Sequence, residues 1–302
     1  MRVIQAVLFT IAALSLVADA LAQGQVDYSK VEIKTDKLAS NFYVLNGQGG
    51  AIGVLTGSDG VLMVDSQFAP LTDKIVAAIK QVSNAPLRFL INTHVHGDHT
   101  GGNENLGKMG VVIFAREELR NRLAHPAPAA NGTPGAPAPA PALPVVTYDS
   151  PITFHMDGED VHAIPIPKAH TDGDTLVQFP NANVIMIGDY FRSIQYPNID
   201  RTNGGSLKGM LEGLDTAIKL CNAQTKVVPG HGPVVDRNAL MAHRDMIIAV
   251  RDKIAPMVTQ GKTLQEVLAA KPTAEYDAKV PNSDTTTERF ITQVYQELKA
   301  GK

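Results

Sequence analysis

The stretch Thr93-His94-Val95-His96-Gly97-Asp98-His99-Thr100-Gly101-Gly102 places three imidazoles and one carboxylate within six positions. It follows directly on the apolar run Leu87-Arg88-Phe89-Leu90-Ile91. Such a run reads as a buried strand, so the cluster sits at a strand's end, where α/β sheets place their chemistry. Residues two apart in extended chain point the same way, so His94 and His96 aim at one point. The turn at Gly97 lets Asp98 and His99 swing toward a second point nearby. Four nitrogen and oxygen donors at this spacing are metal ligands rather than dispersed surface residues.

Upstream, Phe42–Leu45, Ala51–Leu55 and Val61–Asp65 read as a strand meander punctuated by glycine. Gly47-Gln48-Gly49-Gly50 is a hairpin tip and not a phosphate loop, because Ile52 stands where GxGxxG needs its third glycine. Asp65 ends its strand either as a partner of a metal-bound histidine or as a turn cap. Leu71, Ile75, Val76, Ile79 and Val82 form a helical stripe. Downstream come a short glycine-led helix, the strand Val111–Phe114 and a charged helix from Arg116. Residues 124–144, rich in Pro and Ala, read as an exposed, semi-rigid linker loop.

The second half repeats the strand-rich opening over 152–155, 161–166, 175–179 and 184–187. Three loaded segments each follow a strand: Lys168–Asp174 with His170, Gly188–Arg192 with Asp189, and Pro229–Pro233 with His231. Ser206 reads as the N-cap of a helix reaching Cys221. From about Asp236 the tail reads as three polar amphipathic helices. This mixture of meander and alternating elements predicts a layered α/β sandwich in residues 23–302, with 237–302 a helical C-terminal extension.

Residues 1–22 read as a secretory signal peptide: Arg2, an apolar run to Val17, and the small-residue site Ala20-Leu21-Ala22. A soluble periplasmic or secreted protein is expected, with no stable membrane association after cleavage. The net charge of −3 lacks the basic face that nucleic acid requires. The one cysteine, Cys221, cannot form an internal disulfide and reads as a small buried hydrophobe.

Together, His94, His96, Asp98, His99, His170, Asp189 and His231 are the complement for two borderline metals sharing an oxygen ligand. His125, His155, His162 and His243 lie elsewhere and read as structural. The pattern HxHxDH at 94–99, the later histidine at 170, Asp189 after a glycine and GHG around His231 resemble the metallo-β-lactamase superfamily. That resemblance implies an αββα four-layer sandwich with a dinuclear zinc centre at one edge of its sheets. It implies that His94, His96 and His170 hold one zinc, that Asp98, His99 and His231 hold the other, and that Asp189 bridges them. It further implies hydrolysis by a metal-bridging hydroxide, which Asp98 orients, acting on a cyclic amide or ester-like bond of a small molecule.

The text around His170 and Gly204-Gly205-Ser206 most resembles the class B β-lactamase-like branch. The lactamases place a cysteine where this chain has Asp189, and the lactonase and glyoxalase II branches use oxygen there. A lactonase or thioesterase is therefore the second reading. An iron oxygenase on the same fold and a metal-binding protein without turnover stand behind it. Arg192, three residues after Asp189, is either the anchor for a substrate carboxylate or an ordinary surface arginine. No GxSxG or SxxK occurs to support a covalent serine route.

Overall fold

Glycine-rich turns fold the first strands back on one another. In the computed structural model, β1 (Lys34–Lys37), β2 (Phe42–Asn46), β3 (Ile52–Gly57) and β4 (Gly60–Val64) form an antiparallel meander. The structure describes residues 26–128 and 132–301, so the signal peptide read over 1–22 lies outside the described residues. Tyr28–Lys30 is a short 3-10 turn capped by Asp27, and Glu32 begins the main compact unit.

After the meander the connections lengthen and the pairing turns parallel, as crossovers through helices require. Helix α1 (Thr72–Val82) leads to β5 (Leu87–Ile91). Helices α2 (Gly97–Thr100) and α3 (Asn103–Lys108) lead to β6 (Val112–Arg116). Helix α4 (Glu117–Ala124) and the proline-rich loop lead to β7 (Val146–Tyr148). These strands complete a seven-stranded sheet in the order β1 to β7.

A second, five-stranded sheet runs β12-β11-β10-β9-β8. It comprises β8 (Ile152–Met156), β9 (Glu159–Pro165), β10 (Thr175–Phe179), β11 (Val184–Met186) and β12 (Lys226–Val228). The last of these pairs parallel to β11 after α5 (Leu207–Leu220).

The strand period of two sorts side chains into layers. Phe42, Val44, Leu62 and Val64 of the first sheet meet Val161, Val177, Phe179 and Met186 of the second in one apolar cluster between the sheets. The alternate residues Leu176, Ile185 and Val227 face the other way, against Met210 and Leu214 of α5 and the C-terminal helices. Alternate residues of the first sheet, Val54, Met63 and Leu90, are also fully buried, as are Ile75 and Ile79 of α1. The architecture is the αββα sandwich with C-terminal helices.

Two expectations need correction. The tail forms four helices, not three: α6 (Arg237–Thr259), α7 (Leu264–Ala269), α8 (Ala274–Asp277) and α9 (Ser283–Ala300). Their amphipathic faces pack as such helices must, with Leu240, Ile247, Val250, Ile254, Phe290 and Val294 in the core. The proline-rich loop is not an exposed linker throughout. Ala140–Ala142 forms a 3-10 turn, Ala142 is buried, and its carbonyl accepts a hydrogen bond from Asn103 Nδ2 (3.2 Å).

Candidate metal centre

The centre is built where β5 runs out. Asn92 and Asn103 exchange side-chain amide bonds of 3.1 and 2.8 Å, which pin the start of the loop to α3. Thr93 to Val95 form a bend rather than the extended run that the sequence suggests, and His96 serves as N-cap of α2, so Asp98 and His99 project from its single turn. The ends of β9, β11 and β12 bring His170, Asp189 and His231 to the same edge. The seven residues fall into two groups, His94-His96-His170-Asp189 and Asp98-His99-Asp189-His231. Within each group one donor atom per residue lies within 4.8 Å of all the others, and Asp189 belongs to both.

The outer hydrogen bonds decide which ring nitrogen faces inward. Asp65 Oδ2 accepts from His99 Nδ1 at 2.7 Å, the Asn198 carbonyl accepts from His170 Nδ1 at 2.7 Å, and Asp200 Oδ2 accepts from His96 Nε2 at 2.7 Å. A carbonyl or carboxylate oxygen can only accept, so each of these nitrogens carries its proton and the opposite nitrogen presents a lone pair. His170 Nε2 and His96 Nδ1 then face each other at 2.9 Å, and His99 Nε2 lies 3.4 Å from His231 Nε2. The lone pairs of His170 and His96, 2.9 Å apart, repel unless a cation joins them. His94 Nε2 and Asp189 Oδ1 are moreover buried without a hydrogen-bond partner. This donor set fits a pair of metal ions.

The electrostatics differ between the two groups. Burial lowers His94, and it brings His170 down to about 3, so both rings are neutral donors at physiological pH. Burial would also lower His99 and His231, but Asp189 with Asp65 raises the first and Asp189 with Asp98 raises the second. Burial would push Asp98 and Asp189 up. The His231 hydrogen bond and the charge on His99 outweigh this for Asp98, and His99, His94 and Arg192 outweigh it for Asp189. Both carboxylates are held well below their usual range. The same anionic field that draws protons onto His99 and His231 favours a cation between them.

Glycines let the chain close around Asp189 and His99. A Cβ on Gly230 would lie 1.8 Å from Asp189 Oδ1, and one on Gly50 would lie 2.1 Å from His99 Cε1. His94, His99, His170 and Asp189 are buried, whereas the His96, Asp98 and His231 side chains are 24, 23 and 19% exposed. Solvent therefore reaches the centre over those three. A cavity of 670 Å³ opens beside His231 and the Gly47–Gly49 hairpin tip, and one of 310 Å³ opens beside His96, Leu123 and Pro126.

Arg192 does not project freely toward solvent: its guanidinium pairs with Asp189 Oδ2. Asp65 takes the first of its two expected roles, accepting from Thr93 N (2.7 Å) and Thr93 Oγ1 (2.6 Å) as well as from His99. It does so from a left-handed backbone (φ 62°), which Asp tolerates better than most residues. Asp200, Asn198 and Asn103 escaped the sequence reading. Asp200 and Asn198 lie in unperiodic chain that only the fold brings to His96 and His170, and Asn103, at a helix start, ties the loop through Asn92. Of the remaining histidines, His155 bonds Asp160, His162 bonds Thr153 and His243 packs edge-on to Phe191, all outside the two donor groups. Cys221 is buried at the end of α5, and burial raises its thiol to about 11.

The model of the metallo-beta-lactamase superfamily matches residues 45–244, two thirds of the chain and all seven donors. The chain belongs to this superfamily. Among its relatives, the type 2 metallo-beta-lactamase of Bacillus sp. (strain 170) is 24% identical over 195 residues, covering 64% of this chain and 71% of that protein. The Bacillus cereus enzyme of the same name is 23% identical over 195 residues, with the same coverage of 64% and 71%. The DIM-1 metallo-beta-lactamase superposes with a TM-score of 0.59 at 19% identity, over 72% of this chain and 98% of that one. The inverting sec-alkylsulfatase Pisa1 from Pseudomonas sp. superposes with a TM-score of 0.67 at 17% identity, over 87% of this chain. This chain spans only 50% of Pisa1. Membership makes the chain a metal-dependent hydrolase by family, and the structural likenesses establish the shared fold.

Proposed function

We propose that this chain is an exported dinuclear zinc hydrolase that cleaves a cyclic amide or ester-like bond, with β-lactams as its first substrate class. The reading is carried by the two four-donor groups sharing Asp189, within which His94 Nε2 and Asp189 Oδ1 are buried without a hydrogen bond. His94, His96 and His170 would hold one ion and Asp98, His99 and His231 the other, with Asp189 common to both. Zinc ions bound there would supply Lewis-acid stabilisation of developing negative charge and nucleophile activation at neutral pH.

The chain's own residues supply orientation and environment. Asp98 stays ionised on the open side of the centre, 3.0 Å from His231 Nε2, where it accepts a hydrogen bond from the attacking water and orients it. The buried histidines and Asp189 keep the closed side dry, which strengthens every charge interaction there. Arg192 is the candidate anchor for an anionic group on the substrate, once its guanidinium turns from Asp189. The two flanking cavities are where substrate shape would be selected. Export rests on the leader-like text of residues 1–22.

A specific observation favours a second reading, a lactonase or thioesterase: the shared ligand is the Asp189 carboxylate, and the single cysteine is remote in the fold. Metal analysis with a substrate panel separates the readings. The panel comprises a chromogenic cephalosporin, an acyl homoserine lactone and a glutathione thioester, with a secondary alkyl sulfate added for the likeness to Pisa1. Two zinc ions per chain and cephalosporin turnover are expected, with Asp98→Asn losing about 10²–10⁴-fold in rate. A lactone rate far above the cephalosporin rate would overturn the first choice. Absence of any metal-dependent hydrolysis would remove the enzyme reading.

A further inference from the structure

The segment from Ile194 to Asp200 has no helix or strand of its own, so its backbone groups must find partners elsewhere. Several of them find partners on one helix. Asn282, the N-cap of α9, donates from Nδ2 to the Ile194 carbonyl (3.0 Å), Thr286 Oγ1 accepts from Tyr196 N (3.3 Å), and Arg289 donates to the Tyr196 carbonyl (3.3 Å). Gln293 grips two consecutive residues, its Oε1 accepting from Ile199 N (3.0 Å) and its Nε2 donating to Asn198 Oδ1 (2.8 Å). One turn on, Glu297 accepts from Leu207 N (2.6 Å) and Lys208 N (3.2 Å) at the start of α5. Steps of three and four residues put this polar row on a single face of α9.

Gln293 holds Asn198, which orients His170, and Ile199, which directly precedes the Asp200 that orients His96. The Asn198 carbonyl takes the His170 Nδ1 proton, and Asp200 takes the His96 Nε2 proton. Asp200 N also donates to the His170 carbonyl (2.9 Å), and Ile199 between them is buried in the core. In the second group His99 is oriented from elsewhere, by Asp65 at the end of β4. We propose that α9, which lies beyond the residues matched by the family model, positions the His94/His96/His170 metal site through Gln293. Gln293 is a positioning residue: it touches no ligand and acts through Asn198 and Ile199. The inference rests on the dinuclear reading of the centre.

The test uses the full-length chain and zinc alone, with stepwise competition against a chromophoric chelator, cobalt(II) substitution spectra and thermal unfolding of the metal-free protein. Gln293→Leu is expected to weaken one of the two metal steps about tenfold. That is the low end of the 10–100-fold seen for direct partners of metal ligands, because Gln293 acts one bond further out. Gln293→Glu, which keeps the acceptor for Ile199 N and loses the donor to Asn198, should fall between, and it carries the test should the leucine variant not fold. Glu297→Gln is the control: it weakens the cap on α5, lowers the unfolding temperature and leaves both metal steps in place. Equal shifts of both steps in the Gln293 variants, no shift in either, or a matching shift in Glu297→Gln would overturn the inference. A wild-type chain that takes up no metal would instead overturn the dinuclear reading, and this inference with it.

Discussion

Replacing Asp65 by Asn tests the hydrogen-bond logic of the centre with almost no change in shape. Asp65 adopts a left-handed backbone that Asn also tolerates, so the turn is preserved. Thr93 N must still donate, which forces the Asn carbonyl into the place of Asp65 Oδ1 and the amide NH₂ into the place of Oδ2. That NH₂ now faces Thr93 Oγ1 and His99 Nδ1, both of which had donated to Oδ2 at 2.6 and 2.7 Å. His99 must present a bare Nδ1, which moves its proton to Nε2, the nitrogen that faces the second metal position. The Thr93 hydroxyl loses its acceptor as well and turns toward His94 Nδ1, 3.1 Å away, with the same consequence for His94 Nε2.

Three charge-assisted bonds become neutral, a loss of about 1 kcal/mol each, so the fold should weaken by about 2–3 kcal/mol and survive. Metal affinity should drop about 10–100-fold at the step that loads the second group, with a smaller loss at the first. Chelator competition on the folded variant measures both steps. If Asp65→Asn binds both metals as tightly as the wild type, Asp65 does not set the tautomers and the account of the centre is wrong.

Other perturbations reach the same architecture from different sides. Gly230→Ala should displace Asp189, since the new Cβ would lie 1.8 Å from Oδ1, and a misplacement of this kind costs about 100-fold in turnover, measurable in steady-state kinetics. Chelating the metals should lower the unfolding temperature by roughly 10 °C for each site previously held at about 1,000 times its Kd, as calorimetry would record. His243 is lowered to about 4 by burial alone. The unfolded chain therefore gains a proton near pH 6.5 that the folded chain refuses, so this group's stability is full above pH 6.5 and is lost as pH falls toward 4. Between pH 7.5 and 5 the metal-free wild type should lose about 1–2 kcal/mol more stability than His243→Gln, read from denaturant midpoints.

Much of this protein is local, and local features are legible in a sequence. The ligand-bearing segments were readable because each pairs an apolar run, which must become a buried strand, with polar, glycine-containing text that must leave it at the sheet's edge. The periodicity of Leu71–Val82 and the Ser206 cap likewise announce α1 and α5 without reference to anything distant. The number of helices in the tail was not legible because α7 and α8, of six and four residues, are too short to show a periodic stripe.

The ring nitrogens were beyond the sequence for a different reason. Which nitrogen of His96, His99 or His170 is free depends on an acceptor 104, 34 or 28 residues away in the chain. Of these acceptors, Asp200 and the Asn198 carbonyl carry no periodic or motif signal, and Asp65 alone left two roles open. The sequence by itself determined the donors, their order and the strand ends that carry them, because those follow from short-range pattern and side-chain chemistry. The family resemblance already implied how the donors divide around Asp189, and the tertiary structure alone decided which proton each histidine keeps. It also decided that α9, outside the family match, holds the loop that orients two of them. These are distances between remote segments, and only packing sets them.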